Sequence, residues 1–120
     1  MLENKNKTLG KHGEELAVRF LQTHRYHIII RNYCSLYGEI DIIARQQDTI
    51  VFVEVKTRTS SFSQAENSVS WAKQQKMLET AAFYLQTHPE YDDLPTRFDV
   101  ISIIFRRQEF VIKHLPDAFH

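Results

Sequence analysis

The segment Gly38–Arg58, GEIDIIARQQDTIVFVEVKTR, sets the fold of this chain. Two runs rich in β-branched residues, 39–45 and 49–57, flank the polar Gln46-Gln47-Asp48, the pattern of an antiparallel β-hairpin with a tight turn. A turn centred on Gln47-Asp48 faces Gln46 with Thr49, and counting outward from that pair sets Asp41 opposite Glu54. Their Cβ atoms are then about 5 Å apart on one face. Alternation along the second strand adds Phe52 and Lys56 to the face of Glu54 and sends Val51, Val53 and Val55 to the other.

Two carboxylates and an ammonium therefore converge in the most apolar part of the sequence, among Ile40, Ile42, Ile43, Val53 and Val55. At about 5 Å and an effective dielectric near 20, two like charges repel by roughly 3–4 kcal/mol before any desolvation is counted. Lys56, a shared proton or a bound cation must offset that repulsion. A divalent metal held by oxygen ligands is the reading that uses both acids; a solvated hairpin face with a cross-strand Lys–Glu pair is the plainer one.

The rest of the chain bounds the class. Its 120 residues suit one domain, and 42% apolar with 25% charged side chains is ordinary for a soluble globular protein. No apolar run is long enough to span a bilayer and MLENKNKTLG has no signal-peptide core, so a cytoplasmic protein without a membrane partner is expected. Cys34 is the single cysteine, which excludes an internal disulfide or a cysteine-rich zinc site, and the six histidines show no metal-ligand spacing. Fifteen basic and fifteen acidic residues balance, so any phosphate contact must come from a local cluster: Lys5, Lys7 and Lys11, then Lys56 with Arg58, then Lys73 with Lys76.

In chain order, Thr8 is placed as the N-cap of a helix reaching about His24, with Leu9, Gly13, Leu16, Ala17, Phe20 and Leu21 as its buried stripe. Glu14 lies at the edge of that stripe, toward the sheet, while Glu15 lines up with Arg19 and points outward. Gly10 and Gly13 are costly in a helix unless something approaches closely. A strand is expected over 26–33, the polar stretch 59–64 as a loop, and a second helix over about 68–87, ending before Pro89. In that helix Trp71, Leu78, Ala82 and Leu85 share one face, and Lys73 aligns with Met77, Ala81 and Tyr84 on the next, from which Lys73 can reach back over the sheet. Strands over 97–105 and 109–114 close the chain, with Asp99 expected in a salt bridge with Arg97 or with a basic neighbour elsewhere rather than as a metal ligand. The order α, three strands, α, two strands predicts an α/β fold: one mixed sheet of four to five strands flanked by helices.

The blocks G-x-x-G-E-x-x-A at Gly10–Ala17, R-N-Y at Arg31–Tyr33, G-E-I-D-I-I-A at Gly38–Ala44, V-F-V-E-V-K-T-R at Val51–Arg58 and R-F-D-V at Arg97–Val100 resemble the YraN family of small bacterial endonuclease-like proteins. Lys73 and the closing Ala118-Phe119 extend the match to nearly the whole chain. Arg25 and Ser63 stand where family members often carry glycine. That family in turn resembles the PD-(D/E)XK nuclease superfamily, which includes archaeal-type Holliday-junction resolvases. The resemblance implies a single α/β/α, restriction-endonuclease-like domain over 1–120 and Mg²⁺- or Mn²⁺-dependent hydrolysis of DNA, branched or structured DNA included. It implies Asp41 and Glu54 as metal ligands, Glu14 supporting the metal directly or through water, and Lys56 orienting the attacking water or stabilising the developing charge. Arg58, Lys73 and Lys76 are the expected nucleic-acid contacts. Two other readings remain open: a non-catalytic nucleic-acid-binding module, and a protein-interaction subunit, with a homodimer as a further expectation.

Overall fold

The hairpin register is the one its turn dictates. In the computed structural model of the chain, strand β2 (Gly38–Gln46) pairs antiparallel with β3 (Thr49–Arg58) as Gln46 with Thr49, Ala44 with Val51 and Ile42 with Val53. The structure describes residues 2–59 and 69–119, with side chains from residue 8 onward. The expectations for Lys5, Lys7, the body of the 59–64 loop and a helix start at Ser68 lie outside the described residues.

Helix α1 (Leu2–Thr23) leads into β1 (His27–Ser35), β2 and β3; helix α2 (Trp71–Gln86) and a 3₁₀ turn (Pro89–Tyr91) lead into β4 (Thr96–Arg106) and β5 (Glu109–Phe119). The strands lie in sequence order β1-β2-β3-β4-β5. Every neighbour pair is antiparallel except β3 with β4, which α2 connects as a crossover. One face of this five-stranded mixed sheet packs Ile43, Phe52, Phe98 and Val100 against Met77, Ala81 and Tyr84 of α2. The other packs Ile42, Val51, Val53, Ile101 and Ile103 against Ala17, Val18 and Leu21 of α1. The expected single α/β domain is thus present, with a helix on each side of the sheet. Among the described residues, no helix is long and apolar enough to cross a membrane.

Four expectations shift. Thr8 is not an N-cap, because α1 is already helical at Leu2; LENKNK carries no Gly, Pro or β-branched residue to stop the helix from extending. Tyr26 does not begin β1, because its N–H is spent on the carbonyl of Leu21 at 2.9 Å while Arg25 N–H donates to Gln22 at 3.0 Å. Those two bonds form a Schellman closure of α1. In α2, capped by Ser70 Oγ on Lys73 N–H, the buried residues are Met77, Thr80, Ala81 and Tyr84. The packed face is therefore the one that holds Lys73, and Trp71 stays 73% exposed. Finally, β5 continues through Pro116 to Phe119, which an edge strand tolerates since its outer N–H groups need no ladder partner.

Arg25 occupies the left-handed position of the closure at φ 69°, a conformation that glycine takes without steric cost. Asp99 is fully buried at the slip in β4–β5 pairing between Phe98 and Val100. Arg97 grips it through Nε at 2.8 Å and a terminal nitrogen at 3.0 Å, His114 Nε2 lies at 2.7 Å, and Asp117 N–H donates at 3.0 Å. His114 is thus a half-buried structural partner of Asp99. Burial on its own raises the Asp99 carboxyl, but the bonds from His114, Arg97 and Asp117 outweigh it and hold the group below its ordinary value.

Two stability outcomes follow from these contacts. Arg25→Gly raises unfolding free energy by about 0.5–1 kcal/mol in urea titration, the relief of left-handed strain less the added freedom of the unfolded chain. Asp99→Ala lowers it by about 3–5 kcal/mol, since Arg97 is left without its buried partner. Because the Asp99 carboxyl is held down in the fold, its contribution is fully present above about pH 4 and is lost as pH falls through the folded value. An acid titration in which Asp99→Ala and wild type lose stability in parallel would contradict this.

Candidate functional site

Backbone pairing of β2 with β3 stops at Ile42 and Val53, one step short of Asp41 and Glu54. Beyond that point the Asp41 side chain does what a backbone carbonyl does elsewhere: its Oδ2 accepts the Val55 N–H at 2.8 Å. The strand's alternation also slips here, since Ile40 packs with the α2 cluster and Ile42 with the α1 cluster. Across the β1–β2 pair, Asn32 stands between the paired residues Arg31 and Tyr33 and has φ 54°, a left-handed kink that asparagine accommodates better than most residues. The Asp41 carboxyl is thereby turned toward β3.

Glu54 is 4% exposed. The ammonium of Lys73, in the first turn of α2, forms an ion pair with its Oε2. Burial, the neighbouring Glu54 carboxylate within hydrogen-bonding reach and the more distant charge of Glu14 push the Asp41 carboxyl up to about 8, against the opposing bond from Val55 N–H. Glu54 and Glu14, from two other elements, therefore both act on Asp41. Their repulsion is met in two of the ways the sequence allows, by a cation and by a retained proton, although the cation on Glu54 is Lys73.

Glu14 reaches this point because α1 comes down hard on β3. A Cβ on buried Gly13 would collide with the Thr57 side chain, whereas one on Gly10 would meet nothing within 4 Å. Gly13 is thus the close-contact glycine. Glu15 keeps a part-exposed side chain, and its Oε2 pairs with Arg31 of β1 at 3.0 Å.

Lys56 lies on the face of Glu54, two residues along β3, and both line an open cleft of about 540 Å³ with Val55, Thr57, Arg58, Val69, Ser70 and Lys73. A second cleft of about 470 Å³, on the other side of the start of α2, includes Glu39, Lys73 and Lys76. Lys73 and Ser70 belong to both. The first cleft opens at the carboxyl end of β3, where β3 gives way to the crossover toward α2, the usual place for ligands in open α/β sheets. The structure thus brings Asp41, Glu54 and Lys73 together with Glu14 within electrostatic range of Asp41, sets Lys56 and Arg58 along the adjoining cleft, and places Lys76 beyond α2's first turn. Sequence reading passed over the direct Lys73–Glu54 pair, although the helical alignment of Lys73 with Met77 and Tyr84 was its signal. It also passed over Ser102, which lies in register with Lys56 and has a fully buried hydroxyl.

Among the described residues, no group of three or more His, Cys, Asp or Glu side chains is arranged to hold a metal ion. The candidate set is accordingly the Asp41–Glu54 pair. Hard carboxylate oxygens, one paired with an ammonium and the other pushed toward its neutral form by burial and its acidic neighbours, suit Mg²⁺ or Mn²⁺, and Mg²⁺ commonly takes one or two carboxylates with water and substrate phosphate completing its shell.

Comparison with known proteins places the chain in a family. Residues 13–103 match the model of the uncharacterised protein family UPF0102. The chain is 51% identical over 118 residues to a UPF0102 protein of Treponema pallidum (strain Nichols), covering 95% of this chain and 94% of that one. It is 48% identical over 115 residues to a UPF0102 protein of Geobacter metallireducens, covering 95% and 93%. A UPF0102 protein of Francisella tularensis subsp. novicida is 46% identical over 113 residues, covering 92% and 93%. The chain belongs to the UPF0102 family, the family that its Gly-Glu-Ile-Asp and Val-Glu-Val-Lys blocks resemble.

Proposed function

We propose that this protein is a metal-dependent endonuclease of the PD-(D/E)XK type, hydrolysing phosphodiester bonds in DNA with Asp41 and Glu54 as the metal-binding pair. The observation that carries the reading is the buried, mutually repelling carboxylate pair at the mouth of a cleft lined by Lys56, Arg58 and Lys73. A fold has no structural need for such a pair, and groups perturbed this way concentrate at functional sites. Mg²⁺ or Mn²⁺ held there supplies Lewis acidity and a water of lowered pKa.

The chain's own groups supply the rest. Lys56, in the same cleft as Glu54, brings positive charge to a phosphate seated there and favours the more highly charged transition state. Arg58 and Lys73 fix the phosphate backbone, and Lys76 extends that contact across the second cleft. With a metal held by Asp41 and Glu54, Lys73 would be available to turn from counterion of Glu54 to phosphate contact. Glu14 adds negative potential that favours a divalent over a monovalent ion. Action on branched DNA, a cytoplasmic setting and a homodimer matched to a two-fold junction belong to the same proposal.

The Lys73–Glu54 ion pair also supports a second reading. If the ammonium satisfies Glu54 permanently, the fold binds nucleic acid without hydrolysing it. In that case DNA binding is salt-sensitive and survives loss of both acids.

Mg²⁺-dependent cleavage of a panel of linear, forked and four-way DNA separates the two. Asp41→Asn and Lys56→Ala each abolish cleavage while retaining the native circular dichroism spectrum; full cleavage by either variant rejects the site assignment. The metal-free titration gives an independent readout. Because Asp41 holds its proton to about pH 8, Mg²⁺ must displace that proton, so calorimetric Mg²⁺ affinity rises with pH until about 8 and then levels. Asp41→Asn removes that dependence, and an affinity flat between pH 6 and pH 8, approximate bounds set by the shifted group, contradicts it.

A further inference from the structure

The acid pair stands at one end of a line of cations that runs off the sheet. On β3 the face of Glu54 continues with Lys56 and Arg58, each two residues further and therefore about 6.6 Å further along the strand. Arg58 lies beside Ile104 of β4. Two residues beyond Ile104 on that same face is Arg106, exposed at the end of β4. The β4–β5 hairpin overhangs β3 there, because the β3–β4 register ends at Ile104 while Arg106 still pairs with Glu109. Lys113 of β5, also exposed, pairs with Ser102, which in turn pairs with Lys56. It joins the face about 10 Å to the side of Lys56, two strand spacings away.

The hairpin tip itself encloses an open hollow of about 790 Å³ lined by Arg106, Arg107, Gln108 and Glu109. Glu109 is the one acid at that tip among the described residues. A chain with no net charge has thus gathered Lys56, Arg58, Arg106, Arg107 and Lys113 on one side of its candidate site. α2 packs on Ile43, Phe52, Phe98 and Val100, toward the other end of this face.

We propose that this face is a phosphate track: a polynucleotide whose scissile phosphate lies at Asp41 and Glu54 runs along the carboxyl half of β3 and is held at its far end by Arg106 and Arg107 of the β4–β5 hairpin, with Lys113 on its flank. This rests on the nuclease reading for its starting point and adds the direction in which the substrate leaves. From Glu54 to the level of Arg106 is six residues of strand, about 20 Å. A nucleic-acid strand carries one charge per about 3.4 Å of helix axis, so the hairpin meets phosphates about six nucleotides from the reacting one. Contacts of this kind hold and orient the backbone without reading sequence.

The test is the salt dependence of binding to a fluorescein-labelled DNA duplex, measured by anisotropy on the Asp41→Asn background so that the DNA stays intact. Arg106→Ala combined with Lys113→Ala lowers the slope of log affinity against log salt by about 2, close to 0.9 per lost phosphate contact, and weakens binding to all sequences alike. Arg106→Lys with Lys113→Arg keeps the slope, and Arg19→Ala, an exposed cation on α1, leaves it unchanged. A double alanine variant that folds and retains the full slope overturns the track. So does an equal loss in Arg19→Ala, which marks a diffuse charge effect. Cleavage by wild type with an unchanged slope removes the track and keeps the nuclease reading; slope loss without cleavage of any DNA keeps the track and removes hydrolysis.

Discussion

The site depends on a place where two strands stop pairing. β2 and β3 run in register from their turn as far as Ile42 and Val53, and there a backbone ladder gives way to a side chain. A buried N–H left without an acceptor costs about 1–3 kcal/mol, so the Val55 N–H draws the Asp41 carboxyl into the gap. That same movement carries Asp41 against Glu54 and toward Glu14. Backbone satisfaction and carboxylate repulsion are therefore coupled. The hydrogen bond that completes the sheet holds the acids together.

Gly13 and Lys73 set the two walls of this gap. On one face, the missing side chain at Gly13 lets α1 settle on Thr57, which brings Glu14 within electrostatic range. On the other, Ser70 starts α2 so that Lys73 falls in its first turn, over Glu54. Each wall comes from a sequence block distant from the hairpin. The parallel β3–β4 pairing then aligns Glu54, Lys56 and Arg58 with Val100, Ser102 and Ile104 and fixes what neighbours the acids along the cleft.

How much of this was legible follows from the range of each interaction. The hairpin register could be counted from its turn because a strand has period two and nothing interrupts it between Gln46 and Ile42. The common face of Phe52, Glu54 and Lys56 follows from the same period. The slip at Asp41 could not be counted, since it coincides with a left-handed residue, Asn32, on a different strand. The packed face of α2 was ambiguous in sequence because Trp71, Leu78 and Leu85 form as apolar a stripe as Met77, Ala81 and Tyr84. The sheet resolves it by meeting the second stripe. Arg25 is the reverse case, where a departure from glycine marks a backbone constraint that only the φ angle makes explicit.

Asp41 and Asp99 make the strongest internal comparison, because the fold uses each in the same way and treats them oppositely. Each accepts a backbone N–H where strand pairing is interrupted, Asp41 from Val55 and Asp99 from Asp117. Asp99 is surrounded by Arg97 and His114 and is held in its charged form. Asp41 is surrounded by Glu54 and Glu14 and is driven toward its neutral form. Patching a ladder therefore does not require electrostatic frustration, since the same sheet patches another one without it. The excess negative charge at Asp41 is therefore not a by-product of completing the sheet, and under the proposed nuclease reading a hard cation would turn that excess from a cost into binding energy.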